Sequence, residues 1–245
     1  MIEINALKSK HVVVTGGATG IGFAIADLFS QSGAKVAIGS RREGAIQEAI
    51  SASAGRLIGH TMDVAVRESV EHFFDWAATA LGHVDILVNA AGVNIRDRSI
   101  NSMAPDQWDQ VMAINATGAY NCIYFVLPQM RARQHGMIIN ISSVAGKRAL
   151  ALGGVAYAAS KFAMTALGTC VSNEVGVENI RVTNVYPGEV DTPILEQRPT
   201  PVTDEHRQKI LRPEDIAQVV VGLAGLPDRV HVPEIVIKPV NQQYY

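Results

Sequence analysis

Seven short apolar runs, at residues 11–15, 35–40, 57–62, 84–89, 137–142, 181–185 and 234–237, punctuate this chain, and most of the intervening segments space their apolar residues as helices do. This alternation constrains the fold more than any other feature. Uninterrupted apolar runs suit strands buried on both faces, which is the environment of a parallel sheet with helices packed on each side. Parallel neighbours need a long crossover, and such crossovers are right-handed. The expected architecture is therefore α/β: a doubly wound parallel sheet of about seven strands, helices on both faces, in one domain spanning 1–245. Hydrophobic residues make up 48% of the chain but aromatics only 6%, so Ala, Val, Ile and Leu must fill the core. Helices are expected at 20–32, 66–81, 106–133, 156–176 and 213–226. The stretch 192–212, with Pro193, Pro199 and Pro201, has loop chemistry and reads as a lid.

Charge and cysteine usage narrow the functional classes. The formal charge is −2, from 21 basic and 23 acidic residues, and no segment gathers Lys and Arg into a run that could follow a phosphate backbone, which argues against a nucleic-acid partner. Cys122 and Cys170 fall in separate expected helices and form no ligand pattern, so neither a disulfide framework nor a metal site is indicated. Residues 1–10 lack a basic segment followed by an apolar one, and no apolar stretch reaches the ~20 residues that span a bilayer. The expectation is a cytoplasmic protein with no membrane partner.

The first run is followed by Thr15-Gly-Gly-Ala-Thr-Gly-Ile-Gly22, where the chain must turn from strand into helix. Small residues at Gly16, Gly20 and Gly22 let a backbone approach a pyrophosphate, and the helix start at Thr19, Gly20 and Ile21 offers unpaired N–H groups and a partial positive charge. In a first βα unit this pattern points to a dinucleotide, although G-x-x-x-G-x-G departs from the G-x-G-x-x-G spacing. The second run ends Ser40-Arg41-Arg42 rather than in an acid. An acid there would accept a ribose 2′-hydroxyl, whereas arginine clamps a 2′-phosphate, so NADP(H) is favoured and NAD(H) is the alternative. Asp63 and Val64 follow the third run, and Asn89-Ala90-Ala91-Gly92 follows the fourth; each lies at a carboxyl strand end, where open α/β sheets bind ligands. Asp63 could accept from an adenine amino group, and residues 90–92 would let the chain pass a ribose; both stretches could equally be loop formers.

Tyr157 and Lys161 stand four apart at the start of a helix and so share a face. A fixed ammonium beside a phenol favours phenolate, which makes the pair an acid/base candidate, although such spacing is common by chance on helix surfaces. The preceding strand ends in Ser142 and Ser143, and a serine hydroxyl there could reach the same carbonyl oxygen, with Ser143 preferred and Ser142 the fallback. Asn115, among Met112, Ala113, Ile114 and Ala116, reads either as a satisfied core amide or as a hinge holding a water that leads protons to Lys161.

Together these residues resemble the short-chain dehydrogenase/reductase family, in its compact branch of Rossmann-type enzymes. The resemblance covers nearly the whole chain and runs, in family order, through T-G-x-x-x-G-I-G at 15–22, Asp63, N-A-A-G at 89–92, Asn115, the Ser-Ser strand end, Y-A-A-S-K at 157–161, and Pro187-Gly188 through Thr192. It implies Tyr157 as proton donor, Lys161 on the nicotinamide ribose and depressing the tyrosine pKa, Ser143 orienting substrate, and Asn115 completing a proton relay. It further implies Pro187, Gly188, Val190 and Thr192 as the segment holding the carboxamide, the Ser40-Arg41 pair as an NADP-preferring variant, and a homodimer or homotetramer. Two departures stand out. Ser143 and Tyr157 are fourteen positions apart where the family usually has thirteen, with 148–154 as the expected site of the extra residue, and the tail 230–245 lacks the family's glycine-rich pattern.

The resulting expectation is an NADP-dependent carbonyl reductase or alcohol dehydrogenase acting on a small molecule. The alternatives are an NAD-preferring dehydrogenase, a nucleotide-sugar epimerase or dehydratase, which would need a larger C-terminal region, and a non-catalytic NADP-binding or sensing module. Asn94, Val144, Leu150, Leu152, Tyr186, Glu189 and Ile194 are expected to line a mixed apolar pocket with few charges.

Overall fold

Val12, Val13 and Val14 have no exposed surface. Val12 and Val14 pack into one hydrophobic layer and Val13 into the other, as the two-residue period of a strand covered on both faces requires. The computed structural model, which describes residues 7–243, repeats this division along the whole sheet. Ile38, Val88 and Ile139 join the first layer, and Ala37, Leu87 and Ile138 the second.

Among the described residues there are seven parallel strands: β1 His11–Thr15, β2 Lys35–Ser40, β3 Leu57–Thr61, β4 Ile86–Asn89, β5 Gly136–Ile141, β6 Ile180–Pro187 and β7 Glu234–Ile237. They lie in the order β3-β2-β1-β4-β5-β6-β7. Helices α1 (Gly20–Gln31), α2 (Glu43–Ala52) and α8 (Pro213–Ala224) cover the first layer through Phe29, Ile46 and Val220. On the other side α3 (Arg67–Leu81), α5 (Gly118–Arg133) and α6 (Val155–Val175) cover the second through Phe73, Val126 and Val171. Each large apolar side chain so buried contributes about 1.5–3 kcal/mol of transfer free energy. Two short helices complete the set, α4 (Pro105–Met112) and α7 (Asp204–Arg207). This is the expected single Rossmann-type domain. The chain winds one way from β1 to β3 and the other way from β4 to β7, so its direction reverses between the neighbours β1 and β4, and that reversal opens a crevice at the carboxyl end of the sheet.

The single helix expected over 106–133 is two. Between α4 and α5 the turn Ala113–Thr117 widens, and the Gly118 N–H bonds to the Ala113 carbonyl five residues back. Periodicity hides such a turn because the helix axis continues through it. Residues 192–212, expected as an irregular loop, hold a 3₁₀ turn at Pro193–Gln197 and the four-residue α7.

A polar seam crosses the buried sheet. Asn89, Asn140 and Asn184 stand in register on β4, β5 and β6. Asn89 Nδ2 donates to Asn140 Oδ1 at 3.0 Å, and Asn140 Nδ2 donates to Asn184 Oδ1 at 3.1 Å. Buried amides paired in this way specify strand register, because a slip of one residue would break both pairs, although Asn89 Oδ1 has no partner among the described residues.

Among the described residues no helix is long and apolar enough to cross a membrane. The readings drawn from 1–10 and 230–245 extend in part, at 1–6 and 244–245, outside the described residues.

Candidate active site

The glycine turn is built by contact as well as by conformation. Gly16 has φ +63°, and a Cβ there would lie 2.8 Å from the Ala91 Cα; a Cβ at Gly22 would lie 2.3 Å from the Gly16 carbonyl oxygen. The turn therefore seats α1 directly on the ends of β1 and β4. At the α1 N-terminus Thr19 makes no side-chain cap and the first turn carries no acid, so the N–H groups and their partial positive charge face the crevice uncompensated. Thr15 Oγ1 accepts from the Ala90 and Ala91 N–H groups at 3.2 and 3.1 Å, fixing the second wall.

A cleft of about 670 Å³ runs from this turn across the carboxyl ends of β1, β4, β5 and β6. It brings together most of the residues expected from the sequence. Gly16, Thr19, Gly20, Ile21, Gly22, Arg42, Ala90, Ala91, Gly92, Ser143, Tyr157, Lys161, Pro187, Gly188, Val190 and Thr192 all line it. The segment after β6 closes on the glycine turn: a Cβ at Gly20 would sit 3.4 Å from the Thr192 methyl. Val190 is anchored by a parallel bridge to Leu211.

The other expected residues lie off the cleft wall. Ser40 ends β2 and Arg41 beside it is exposed. Asp63 forms a local turn, its Oδ1 accepting from the Ala65 N–H at 3.0 Å, and the Val64 carbonyl accepts from Asn121 Nδ2 at 2.9 Å. Asn89 belongs to the buried seam. Asn115 is fully buried in the wide turn between α4 and α5. Its Oδ1 accepts from the Val93 N–H at 2.8 Å, and its Nδ2 donates to the Val93 carbonyl and to Ser160 Oγ at 2.9 and 3.0 Å.

Tyr157 lies in the first turn of α6 and Lys161 in the next. Lys161 is 3% exposed, and its Nζ donates to the Ile141 carbonyl at 2.8 Å and lies 5.7 Å from the Tyr157 ring centroid. Burial pulls this ammonium down to about 8, so it exchanges a proton near neutral pH. The phenol departs from expectation. Burial raises the Tyr157 pKa, and the groups that oppose the rise are a hydrogen bond with Ser143 and the charge of Arg98, not Lys161. Ser143 Oγ also accepts from the Ala145 N–H at 3.1 Å, while Ser142 Oγ is turned away, 3.2 Å from both the Lys161 carbonyl and Thr165 Oγ1. Of the two serines, Ser143 stands beside the tyrosine.

Around Tyr157 the wall is more charged than the sequence suggested. Asn94, Val144, Leu150, Leu152, Glu189 and Ile194 line the cleft as expected; Tyr186 does not, being fully buried with its hydroxyl donating to Glu234 Oε1 at 3.0 Å. Arg98, Arg198 and Gln242 were not anticipated. Arg98 Nε, Nη1 and Nη2 donate to the carbonyls of Ile95, Leu152 and Gln197 at 2.7, 2.6 and 2.9 Å, tying three loops together. Glu189 Oε2 pairs with Arg198 Nη2 at 3.0 Å and with His206 Nε2 at 2.6 Å, and Asp191 pairs with Arg207, so 189–207 is strapped to itself. Burial opposes ionisation of Glu189, yet these partners hold its pKa below the ordinary value. Gln242 Oε1 accepts from the Glu189 N–H at 2.9 Å, bringing the C-terminal tail to the cleft.

Residues 10–202 match the family described as short chain dehydrogenase. The chain belongs to that family. As a short-chain dehydrogenase it is an oxidoreductase acting on CH–OH and C=O groups with a nicotinamide dinucleotide. It is 32% identical over 234 residues to an uncharacterised oxidoreductase of Staphylococcus epidermidis, covering 96% of this chain and 99% of that one. Among solved structures it is similar to the closed form of a serine dehydrogenase complexed with NADP+, at 30% identity and TM-score 0.87 over 96% of both chains. It is also similar to an alcohol dehydrogenase from Thermococcus sibiricus complexed with 5-hydroxy-NADP, at 27% identity and TM-score 0.83, over 96% of this chain and 98% of that one.

Proposed function

We propose that this short-chain dehydrogenase is an NADP-dependent carbonyl reductase, running equally as an alcohol dehydrogenase, in which Tyr157 exchanges the proton. The observation that carries this reading is the placement of Tyr157, Ser143 and the buried Lys161 in one cleft with an uncapped α1 N-terminus.

The residues present fit the dinucleotide. Gly16 and Gly22 occupy positions where any Cβ would strike the backbone that shapes the cradle, and a Cβ at Gly92 would come within 3.5 Å of Lys161 Nζ and 3.6 Å of Asn115 Oδ1. Gly16, Thr19, Gly20, Ile21 and Gly22 would hold the pyrophosphate, Lys161 and Tyr157 the nicotinamide ribose, and Pro187, Gly188, Val190 and Thr192 the carboxamide. Ser40, Arg41 and Arg42 would take the 2′-phosphate, Asp63 and Val64 the adenine, and Asn89, Ala90, Ala91 and Gly92 its ribose. When bound, the reduced nicotinamide supplies a hydride to a carbonyl carbon. Ser143 would donate a hydrogen bond to the carbonyl oxygen while Tyr157 transfers its proton there. Lys161, its ammonium pulled down to about 8, would restore that proton, with Asn115 organising the relay behind it. The strapped segment within 192–212 would act as the lid that excludes water. The homo-oligomer implied by the family would use α5 and α6, whose outer faces expose Tyr120, Tyr124 and Phe162.

The test is a fluorescence titration with NADPH and NADH, followed by NADPH oxidation across a panel of carbonyl compounds. NADPH should bind about tenfold or more tightly than NADH, an advantage that Arg41→Ala should abolish. Failure to bind either nucleotide would refute the cofactor site, and binding without turnover on any carbonyl would favour the non-catalytic module.

A further inference from the structure

We propose that the substrate end of the cleft recognises a carboxylate through Arg98 and Arg198, making the substrates oxo acids and hydroxy acids. This rests on Tyr157 being the acid/base that meets the carbonyl.

Both arginines line the cleft together with Tyr157. Arg98 is held close to the tyrosine by the backbone: its carbonyl accepts the Val155 N–H at 3.2 Å, two residues before Tyr157. Three of its N–H groups are spent on the carbonyls of Ile95, Leu152 and Gln197, which leaves two of the five donors of a guanidinium. The last of those contacts draws Arg98 to the residue preceding Arg198. The Arg198 side chain is only 14% exposed. The two cations are near enough that Arg198, after burial, lowers the pKa of Arg98, the sign of like charges confined together.

Counting charge selects the ligand. Among the described residues Glu189 is the carboxylate that pairs with Arg198, at 3.0 Å, and its other partner is the His206 ring. Glu196 is on the rim, exposed to water that screens it, with Arg96 donating to its carbonyl at 3.4 Å. These two guanidiniums set against Glu189 leave one positive charge among the three groups. A carboxylate monoanion balances it; a phosphate dianion would over-fill the site and meet Glu189. Planar guanidinium groups also match a carboxylate through paired, charge-assisted N–H bonds.

The experiment compares kcat/KM for short-chain 2-oxo and 3-oxo acids with their methyl esters at saturating NADPH. The acids should be preferred tenfold or more. In Arg198→Gln that ratio should collapse, through a KM for the acid raised on the order of ten- to a hundredfold with a much smaller change in kcat, and Arg198→Lys should recover part of it. Glu189→Gln removes the competing carboxylate and should move the acid KM the other way, downward. Equal turnover of acid and ester by the wild type, or weaker acid binding in both the arginine and the glutamate variants, would overturn the anion site while leaving Tyr157 untouched. If neither acid nor ester is reduced, the Tyr157 reading fails first, and the anion site is read separately from the quenching of bound NADPH fluorescence by butyrate against butyramide. Selective quenching by butyrate that Arg198→Gln removes would sustain it; equal quenching would refute it.

Discussion

The two ends of the sheet bury polar groups to opposite purposes. At the amino end His11, His83 and Asp85 place ligand-type atoms within 4.8 Å of one another, yet the carboxylate is spent on the protein itself. Asp85 accepts from the His11 N–H at 2.9 Å and from Arg133 Nη1 at 2.8 Å, and it pairs with His83 Nε2 at 3.2 Å. At the carboxyl end Lys161 is as deeply buried, but a carbonyl oxygen and a thioether sulfur are the partners its ammonium has. An ion cluster that consumes its own charges serves the fold, whereas a buried cation with no counter-charge among the described residues, beside an open cleft, is what the function proposed above puts to chemical use.

Substitution at the amino end should therefore cost stability and spare turnover. The largest such effect is expected for Asp85→Ala, which strips the partner from Arg133 and the acceptor from the His11 N–H. It should lower unfolding free energy by about 2–4 kcal/mol in urea titration, with kcat/KM unchanged within about twofold. A comparable loss of activity in the folded variant would erase the contrast between the two ends.

A smaller effect follows from pH. Burial lowers the pKa of His11 below its ordinary 6.5, helped by the charges of His83 and Lys35, and burial with Lys10 does the same to His135. Both imidazoles are therefore held neutral by the folded state. Their contribution to stability is complete above 6.5 and is lost as pH falls through and below that value, because the unfolded chain takes up protons first. Asp85 adds nothing in that window. Burial opposes its ionisation, but the His11 N–H, Arg133 and His83 hold its pKa below 3.8, so its contribution fades only below that pH. The urea midpoint should fall modestly from pH 8 to pH 5; a flat or rising profile would contradict the neutral imidazoles.

The sheet and the glycine turn were legible because their signals are local. Val12 to Val14 are apolar on both faces, and Gly16 and Gly22 are small where a Cβ would strike backbone. Tyr157 and Lys161 were readable as a helical pair, and 148–154, the span where an extra residue before Tyr157 was expected, holds a turn at Leu150–Gly153 outside helix and strand. What stayed hidden depends on chain segments distant in sequence. Arg98 gains its place from Leu152 and Gln197, Gln242 from Glu189, and the asparagine seam from three strands that only the fold aligns. At Asn115 the sequence left a core amide or a hinge open, and the width of the turn could not be read because the Val93 backbone to which its amide bonds lies outside its own helix. The tyrosine's acidity was misjudged for the same reason: burial, which no spacing reports, outweighs Ser143 and Arg98.

The most direct test of the account is Tyr157→Phe, measured side by side for NADPH binding and for NADPH oxidation with the best carbonyl of the panel. Removal of the one hydroxyl should leave binding in place and cut turnover by about 10²–10⁴-fold, the usual contribution of a positioned acid. Turnover at the wild-type rate in a variant that still binds NADPH would place the proton donor elsewhere and refute the assignment of this cleft's chemistry to Tyr157.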